Sequence, residues 1–420
     1  MARAVQSLLF ACLFCLLLPP AAADPLAGPK SRAEVRREAT ALAELGRRLF
    51  ADPALSASGT LSCASCHDPK RAFGPPNQRA VQLGGSDMRQ AGVRAVPSLR
   101  YLQVTPSFTE HFFESEDEAD ESIDNGPSGG LTWDGRADRG AEQARLPLLS
   151  PLEMANASPD AVVSKALGRG YGSDLARIFG AALLADRATV FKAILKAFEV
   201  YEQDRESFYP YSSKYDGYLA GKVALSAQEA RGLALFDDPG KGNCAACHVS
   251  KRGGDGTPPQ FTDYGLIALA LPRNAEIPAN ADPAYHDLGL CGPYRTDLAD
   301  HPDYCGLFKT PSLRNVALRG SFFHNGVFHD LREAVAFYAT RDTDPGRWYP
   351  RRADGRIARY DDLPARYWAN IDPTAPLDRI QDEAPALNPA EIDDIVAFLR
   401  TLTDADMRDA APVSRAAAGD

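Results

Sequence analysis

The sequence predicts a mainly α-helical chain built as two halves of one design, and three observations predict it. A five-residue stretch, Cys63-Ala64-Ser65-Cys66-His67, returns as Cys244-Ala245-Ala246-Cys247-His248. Each copy follows the same prelude: apolar residues at helical spacing, an Asp-Pro stop (Asp52-Pro53, Asp238-Pro239) and a loop. The remaining long periodic stretches, from Ser158 and from Asn388, also have the period of helices rather than strands.

The repeated motif carries a chemistry. Cys-x-x-Cys-His is the attachment motif for c-type haem. Two thiols at this spacing form thioethers with the vinyl groups of one porphyrin, and the adjacent His falls under the iron as proximal ligand. A lone Cys-x-x-Cys would serve equally as a redox dithiol or half a zinc site. The following His, its second occurrence and an export signal set those readings aside. The expectation is two cytochrome c-like haem domains related by internal duplication, 24–220 and 221–406, each with one covalently bound haem c. Residues 407–420 read as a flexible tail.

The 420 residues exceed one comfortable core. A formal net charge of −10 argues against nucleic acid as a partner. Residues 1–23 read as a secretory signal: Arg3 is the positive start, Leu8 to Leu18 the apolar run, and Ala21-Ala22-Ala23 the cleavage site before Asp24. The run is too short to be a permanent anchor, so the mature protein is expected in the periplasm with no membrane anchor. Of the eight cysteines, Cys12 and Cys15 fall in this leader and four in the haem motifs. Cys291 and Cys305 remain, in a loop rich in Gly, Pro and Asp, where an oxidising compartment would close a disulfide. The alternative is two quiet thiols.

In chain order, Ser31 to Ala51 reads as a helix that ends at Asp52-Pro53. The stretch 69–92 is irregular and holds no His. Its Met88 is either a sixth iron ligand or plain packing. Residues 114–124 carry seven acids in eleven positions, either a solvated loop or a docking patch for a basic partner. Ala141 to Leu149 reads as a helix interrupted at Pro147. Ser158 to Tyr209 is the longest helical region, followed by an aromatic cluster, Phe208, Tyr209, Tyr211, Tyr215 and Tyr218, suited to packing between domains. Ser226 to Glu229 is a capping box opening a helix to Phe236. The final helix starts at Asn388-Pro389. Its apolar face, Ile392 to Leu402, suits the opening helix of the second domain.

Distal ligands separate a catalyst from a carrier, because an open iron position binds peroxide while two strong ligands only pass electrons. The methionines are Met1, Met88, Met154 and Met407, and none lies between His248 and the end of the last helix. His/Met ligation of the second haem is thereby excluded. The remaining candidates are His286, His301, His324, His329 and a tyrosine.

With the two haem motifs, Trp133-Asp134-Gly135-Arg136 and Lys309-Thr310-Pro311-Ser312-Leu313-Arg314-Asn315 followed by Phe323-His324-Asn325-Gly326 resemble the bacterial diheme cytochrome c peroxidase superfamily. The resemblance covers nearly the whole mature chain. It is nearest the MauG-like branch, which includes methanobactin-associated enzymes that oxidise a tryptophan of a partner protein. It implies Tyr338 as axial ligand of the second haem, where other members place Met. It implies Trp133 as a redox-active stepping stone between the haems, and Gln143, Pro147 and Glu153 as the distal pocket of the first. A carboxylate beside an open iron suits peroxide, which must lose one proton and give another to the leaving oxygen.

Two departures qualify the resemblance. Peroxidases of this superfamily carry a distal His soon after the first motif, and none occurs between His67 and His111. The family's calcium ion is held partly by an Asn where this chain has Ala95, leaving backbone carbonyls and water for that ion. The function implied is reaction with hydrogen peroxide at the first haem, giving a high-valent state shared with the second. That state would be spent on a protein partner, as in MauG-like enzymes, or reduced by a small cytochrome or copper protein, as in a cytochrome c peroxidase. The alternative is a diheme electron-transfer cytochrome without peroxide chemistry.

Overall fold

The computed structural model describes residues 31–111 and 126–410. The leader, the acidic segment 114–124 and the last ten residues lie outside the described residues. The chain is mainly helical. The first half of the chain holds α1 (Arg32–Ala51) and α2 (Cys63–Cys66), then α3 (Gly140–Leu149), α4 (Pro159–Gly168), α5 (Gly172–Phe179), α6 (Arg187–Tyr201) and α7 (Arg205–Phe208). The second holds α8 (Lys214–Leu219), α9 (Ala227–Asp237), α10 (Leu331–Thr340), α11 (Pro345–Trp348) and α12 (Pro389–Arg400). Among the described residues, sheet is confined to two antiparallel pairs of two-residue strands: β1 (Leu83–Gly84) with β2 (Gln90–Ala91), and β3 (Leu266–Ile267) with β4 (Phe308–Lys309).

Local signals explain the helix ends. Ser31, Ser226 and Asn388 each form a reciprocal capping box with a Glu three residues on. Asp52 and Asp238 close matching turns after α1 and α9, accepting from Ala54 N at 3.0 Å and Gly240 N at 2.8 Å. Pro147 does not interrupt α3, which is continuous through it. The proline sits in the last turn, so only one helical hydrogen bond, to the Gln143 carbonyl, is forgone, and Leu148 beyond it is fully buried.

Two large apolar clusters form. One gathers α1, α4 and α6 with Phe73 and Phe208. The other gathers α9, α10 and α12 with Tyr215, Phe261 and Phe322. The same crossing organises both. α1 packs along α6 and α9 along α12, each with a glycine at the closest point. A Cβ on Gly46 would lie 2.0 Å from the Ala197 carbonyl oxygen, and one on Gly232 would lie 2.0 Å from that of Asp394. Only a residue without Cβ fits either crossing.

Met88 packs against the first cluster. Tyr211 lies where the clusters meet: its hydroxyl accepts from Gln103 Nε2 at 2.9 Å and Gln260 Nε2 at 3.0 Å, and Arg314 lies over its ring. Met407 closes a short turn beside a further tie, Arg100 to Asp404 at 2.9 Å and to Asp406 at 2.5 Å. Cys291 and Cys305 are joined by a disulfide, closing a third small cluster with Leu290, Leu298 and Leu307. Among the described residues, no helix is long and apolar enough to cross a membrane.

Candidate functional site

Each Cys-x-x-Cys-His stretch forms one tight turn. Ser62 and Ser65 cap the first, and His67 N donates to Cys63 O at 2.8 Å. The second starts from Asn243 in the left-handed region (φ 47°), and His248 N donates to Cys244 O at 2.8 Å. Burial pushes Cys66, Cys244 and Cys247 up to about 12 and Cys63 higher, so they stand as neutral thiols.

The two histidines are held alike. His67 Nδ1 meets Phe73 O at 3.1 Å and His248 Nδ1 meets Phe261 O at 2.9 Å. A carbonyl at Nδ1 selects the tautomer that leaves the Nε2 lone pair available to an iron. Burial lowers the first ring to about 4 and lowers the second also, so both stay neutral bases. Among the described residues, no group of three His, Cys, Asp or Glu is gathered to hold a metal ion. The donor set is that of a haem site: two neutral thiols and one oriented imidazole per turn.

In the second half, Cys244, Cys247 and His248 open onto a cavity walled by Leu269, Leu271, Phe323, Val335 and Leu399. These apolar walls beside two thiols and an imidazole fit a porphyrin. Tyr338, on α10, lines the same cavity. Burial and the neighbouring thiols of Cys247 and Cys244 push its hydroxyl well above the ordinary phenol range. His324 also lines the cavity but lies flat on Phe308, centroids 3.4 Å apart. The other three histidines do not line it. His286 is held by the Asp362 carbonyl at 3.1 Å, His301 stacks on Tyr304, and His329 bridges Gly320 O and Glu276.

In the first half, Gln143 and Pro147 are one turn apart on α3. After Ser150 the chain folds back: Glu153 N donates to Ser150 O at 3.1 Å, and Met154 N to Pro147 O at 3.0 Å. β1 fixes this corner, with Gly85 N donating to Glu153 O at 2.8 Å. Glu153 is exposed, with protein packed around its remaining sides. Desolvation by that protein raises its carboxyl against the opposing pull of Ser150 and Arg136. Its charge is felt by Cys63 and Cys66, which puts it beside the first motif. Sequence reasoning missed Glu202, at the end of α6. Burial and Glu199 push it up to about 8, and it too acts on Cys63. In the sequence it is indistinguishable from any helix-terminal acid.

Trp133 is buried. Its Nε1 donates to Ala95 O at 2.8 Å, its carbonyl accepts from Lys309 N at 2.8 Å, and its ring meets His324 edge-on at 6.4 Å. The following Asp134 is fully buried and pairs with Arg94 at 2.6 Å and Arg136 at 2.9 Å, while Arg94 also reaches Asp287 at 2.6 Å. These cations hold the Asp134 carboxyl below its usual range. Ala95 has no side-chain oxygen; its carbonyl is used by the indole and its N–H donates to the His324 carbonyl at 2.7 Å.

Comparison with known proteins gives the family. The family model described as di-haem cytochrome c peroxidase matches residues 40–224. The methylamine utilization protein MauG of Paracoccus denitrificans is 34% identical, over 96% of this chain and 98% of its own. The solved diheme peroxidase BthA of Burkholderia thailandensis is 41% identical with a TM-score of 0.77, covering 89% of this chain and 90% of that one. A MauG-like protein associated with microbial copper homeostasis is 26% identical with a TM-score of 0.59, covering 94% and 96%. The chain thus belongs to the di-haem cytochrome c peroxidase family and is a di-haem oxidoreductase with MauG among its relatives.

Proposed function

We propose that this protein reacts with hydrogen peroxide at a haem held by Cys63, Cys66 and His67. Cys244, Cys247, His248 and Tyr338 would hold a second haem, which would supply a store of oxidising equivalents for a protein partner. The asymmetry between the cradles carries this reading: a carboxylate stands beside the first motif and a phenol lines the cavity of the second. When bound, the two haems supply the redox chemistry, accepting two oxidising equivalents from peroxide and releasing them to a donor.

The chain's own residues do the rest. Desolvation brings the Glu153 carboxyl closer to working pH, where it takes a proton from one peroxide oxygen and returns it to the other. The Gln143 amide orients the bound oxygens, and Pro147 shapes the last turn of α3 toward the cradle. Tyr338 gives an anionic oxygen donor once a cation displaces its proton, and such a ligand favours the higher oxidation states of iron. Trp133 is an aromatic stepping stone beside the inter-half cavity. We further assign thioether attachment at all four cysteines, export to the periplasm and a common origin for the two halves. Calcium is left with carbonyl and water ligands, because Ala95 has no side-chain donor.

Two uses of the oxidising equivalents follow from the relatives: oxidation of an aromatic side chain of a dedicated partner, as in a MauG-like enzyme, or turnover with a small cytochrome or copper protein. The acidic segment 114–124 would attract a basic partner. The test is the electron paramagnetic resonance spectrum of the ferric protein as purified. One high-spin and one low-spin signal are expected. Two low-spin signals would make the protein an electron carrier.

A further inference from the structure

We infer that the groove between α8 and the end of α12 docks the acidic face of a small redox protein, and that electrons pass from it toward the second Cys-x-x-Cys-His turn along Tyr218, Tyr215 and Phe261. This rests on the enzyme reading above and names the partner's chemistry and its point of entry.

The groove runs beside the link between the two halves. Tyr211, Lys214, Lys222, Arg252, Arg400 and Arg408 line it, five of them cations. Two acids line it as well, and both are already engaged: Asp216 by Arg314 at 3.0 Å and Glu229 by Lys214 at 2.5 Å. Lys222, Arg252, Arg400 and Arg408 are exposed. None of these four pairs with a carboxylate among the described residues, and Arg252 reaches only the Gly256 carbonyl, at 3.2 Å. In a chain of formal charge −10, such a concentration of unpaired cations draws an acidic surface that the rest of the molecule repels. Apolar contact is on offer too, because Val223 in the groove wall and Tyr218 on α8 are both exposed. Aromatic and apolar contact inside a charged rim suits a protein interface.

The packing behind α8 says where an electron would go. Tyr218 is 39% exposed, and its ring stacks on the buried Tyr215 with centroids 5.8 Å apart. Tyr215 meets Phe261 edge-on at 5.5 Å, and the Phe261 carbonyl holds His248 Nδ1 at 2.9 Å. Two ring contacts and a hydrogen bond thus join the surface to the second imidazole. The first turn has no such route. Phe73, which holds His67, meets Phe50, Tyr201 and Phe208, all buried, and among the described residues these rings contact only one another. Each encounter passes one electron from the partner into the second half. Two encounters, with two protons from solvent, restore the protein after one peroxide has become two waters.

The test uses the exported protein with both haems attached, and reduced plastocyanin, a small copper protein with an acidic face, as the probe. After peroxide addition, re-reduction by plastocyanin is followed by stopped flow at increasing salt in wild type, Lys222→Glu/Arg400→Glu and Tyr218→Leu. The wild-type second-order rate should fall steeply with salt. The double variant should lose about tenfold or more of the low-salt rate and most of its salt dependence. Tyr218→Leu should keep the half-saturating plastocyanin concentration and lower the limiting rate. Equal low-salt rates in wild type and the double variant overturn the docking surface. An equal slowing with hydroquinone, a small neutral donor, overturns it too, because the loss then lies in the fold. An unchanged limiting rate in Tyr218→Leu overturns the route. Binding to phosphatidylglycerol vesicles that the double variant loses, with plastocyanin unaffected, gives the groove to lipid and refutes the inference. Should the double variant not accumulate, Lys222→Gln/Arg408→Gln takes its place. If peroxide yields no oxidised state, the enzyme reading fails instead. Calorimetric titration of plastocyanin into the resting protein then decides the surface: binding should be about tenfold or more weaker in the double variant, and equal binding refutes it.

Discussion

Replacing Gly232 by alanine puts a methyl group where α9 and α12 leave none. The new Cβ would sit 2.0 Å from the Asp394 carbonyl oxygen, 2.6 Å from its carbon and 2.9 Å from Phe398 Cβ. Two of these atoms are backbone and the third is fixed to it, so no side-chain rotation relieves the contact. Restoring a tolerable separation of about 3 Å requires α12 to move out by roughly 1 Å, against interiors that pack as densely as organic crystals. The displaced face carries Ile392, Ile395, Val396, Phe398 and Leu399. Overpacking of this kind costs about 1–3 kcal/mol or more, and alanine's better helix propensity returns at most about 1 kcal/mol. A net loss of about 1–2 kcal/mol should lower the melting temperature of the second half by roughly 2–8 °C. Gly168→Ala is the control, because its Cβ meets nothing within 4 Å, and it should be neutral or slightly stabilising. Calorimetry of the holoprotein, with haem-band absorbance followed in parallel, reads both. If Gly232→Ala melts with or above Gly168→Ala, the glycine crossing does not hold this half together.

Three other outcomes are expected. Tyr338→Phe should change the visible and resonance spectra of the second haem and shorten the life of the peroxide-oxidised state; unchanged spectra would return the ligand role to a histidine, of which only His324 lines the cavity. Glu153→Gln should slow the reaction with peroxide by roughly 10²- to 10⁴-fold with both haems still attached. Because burial raises the Glu153 carboxyl, the wild-type rate should climb with pH through a value above the ordinary glutamate range, and the variant's rate should lose that step. Asp362 is pushed up to about 7, mainly by burial, with Asn325 and Arg273 opposing. A raised acid contributes stability that is complete below its unfolded value and lost as pH rises through 7. Asp362→Asn should therefore gain on wild type between pH 6 and 8 in denaturant titrations, and an equal difference at pH 5 and pH 8 would refute the assignment.

The haem motifs, the missing methionine and the helix caps were legible in the sequence because they are local. Cys-x-x-Cys-His places its donors on one turn, and Ser226 with Glu229 closes its own cap. Pro147 was misread because local propensity ignores what a helix loses in its final turn, which is a single bond. The rest depended on tertiary structure. Glu153 and Glu202 are unremarkable acids until folding removes water from them. Desolvation and pairing across the two halves belong to the assembled chain, so the sequence by itself determined the two Cys-x-x-Cys-His turns, and the tertiary structure decided which charges surround them.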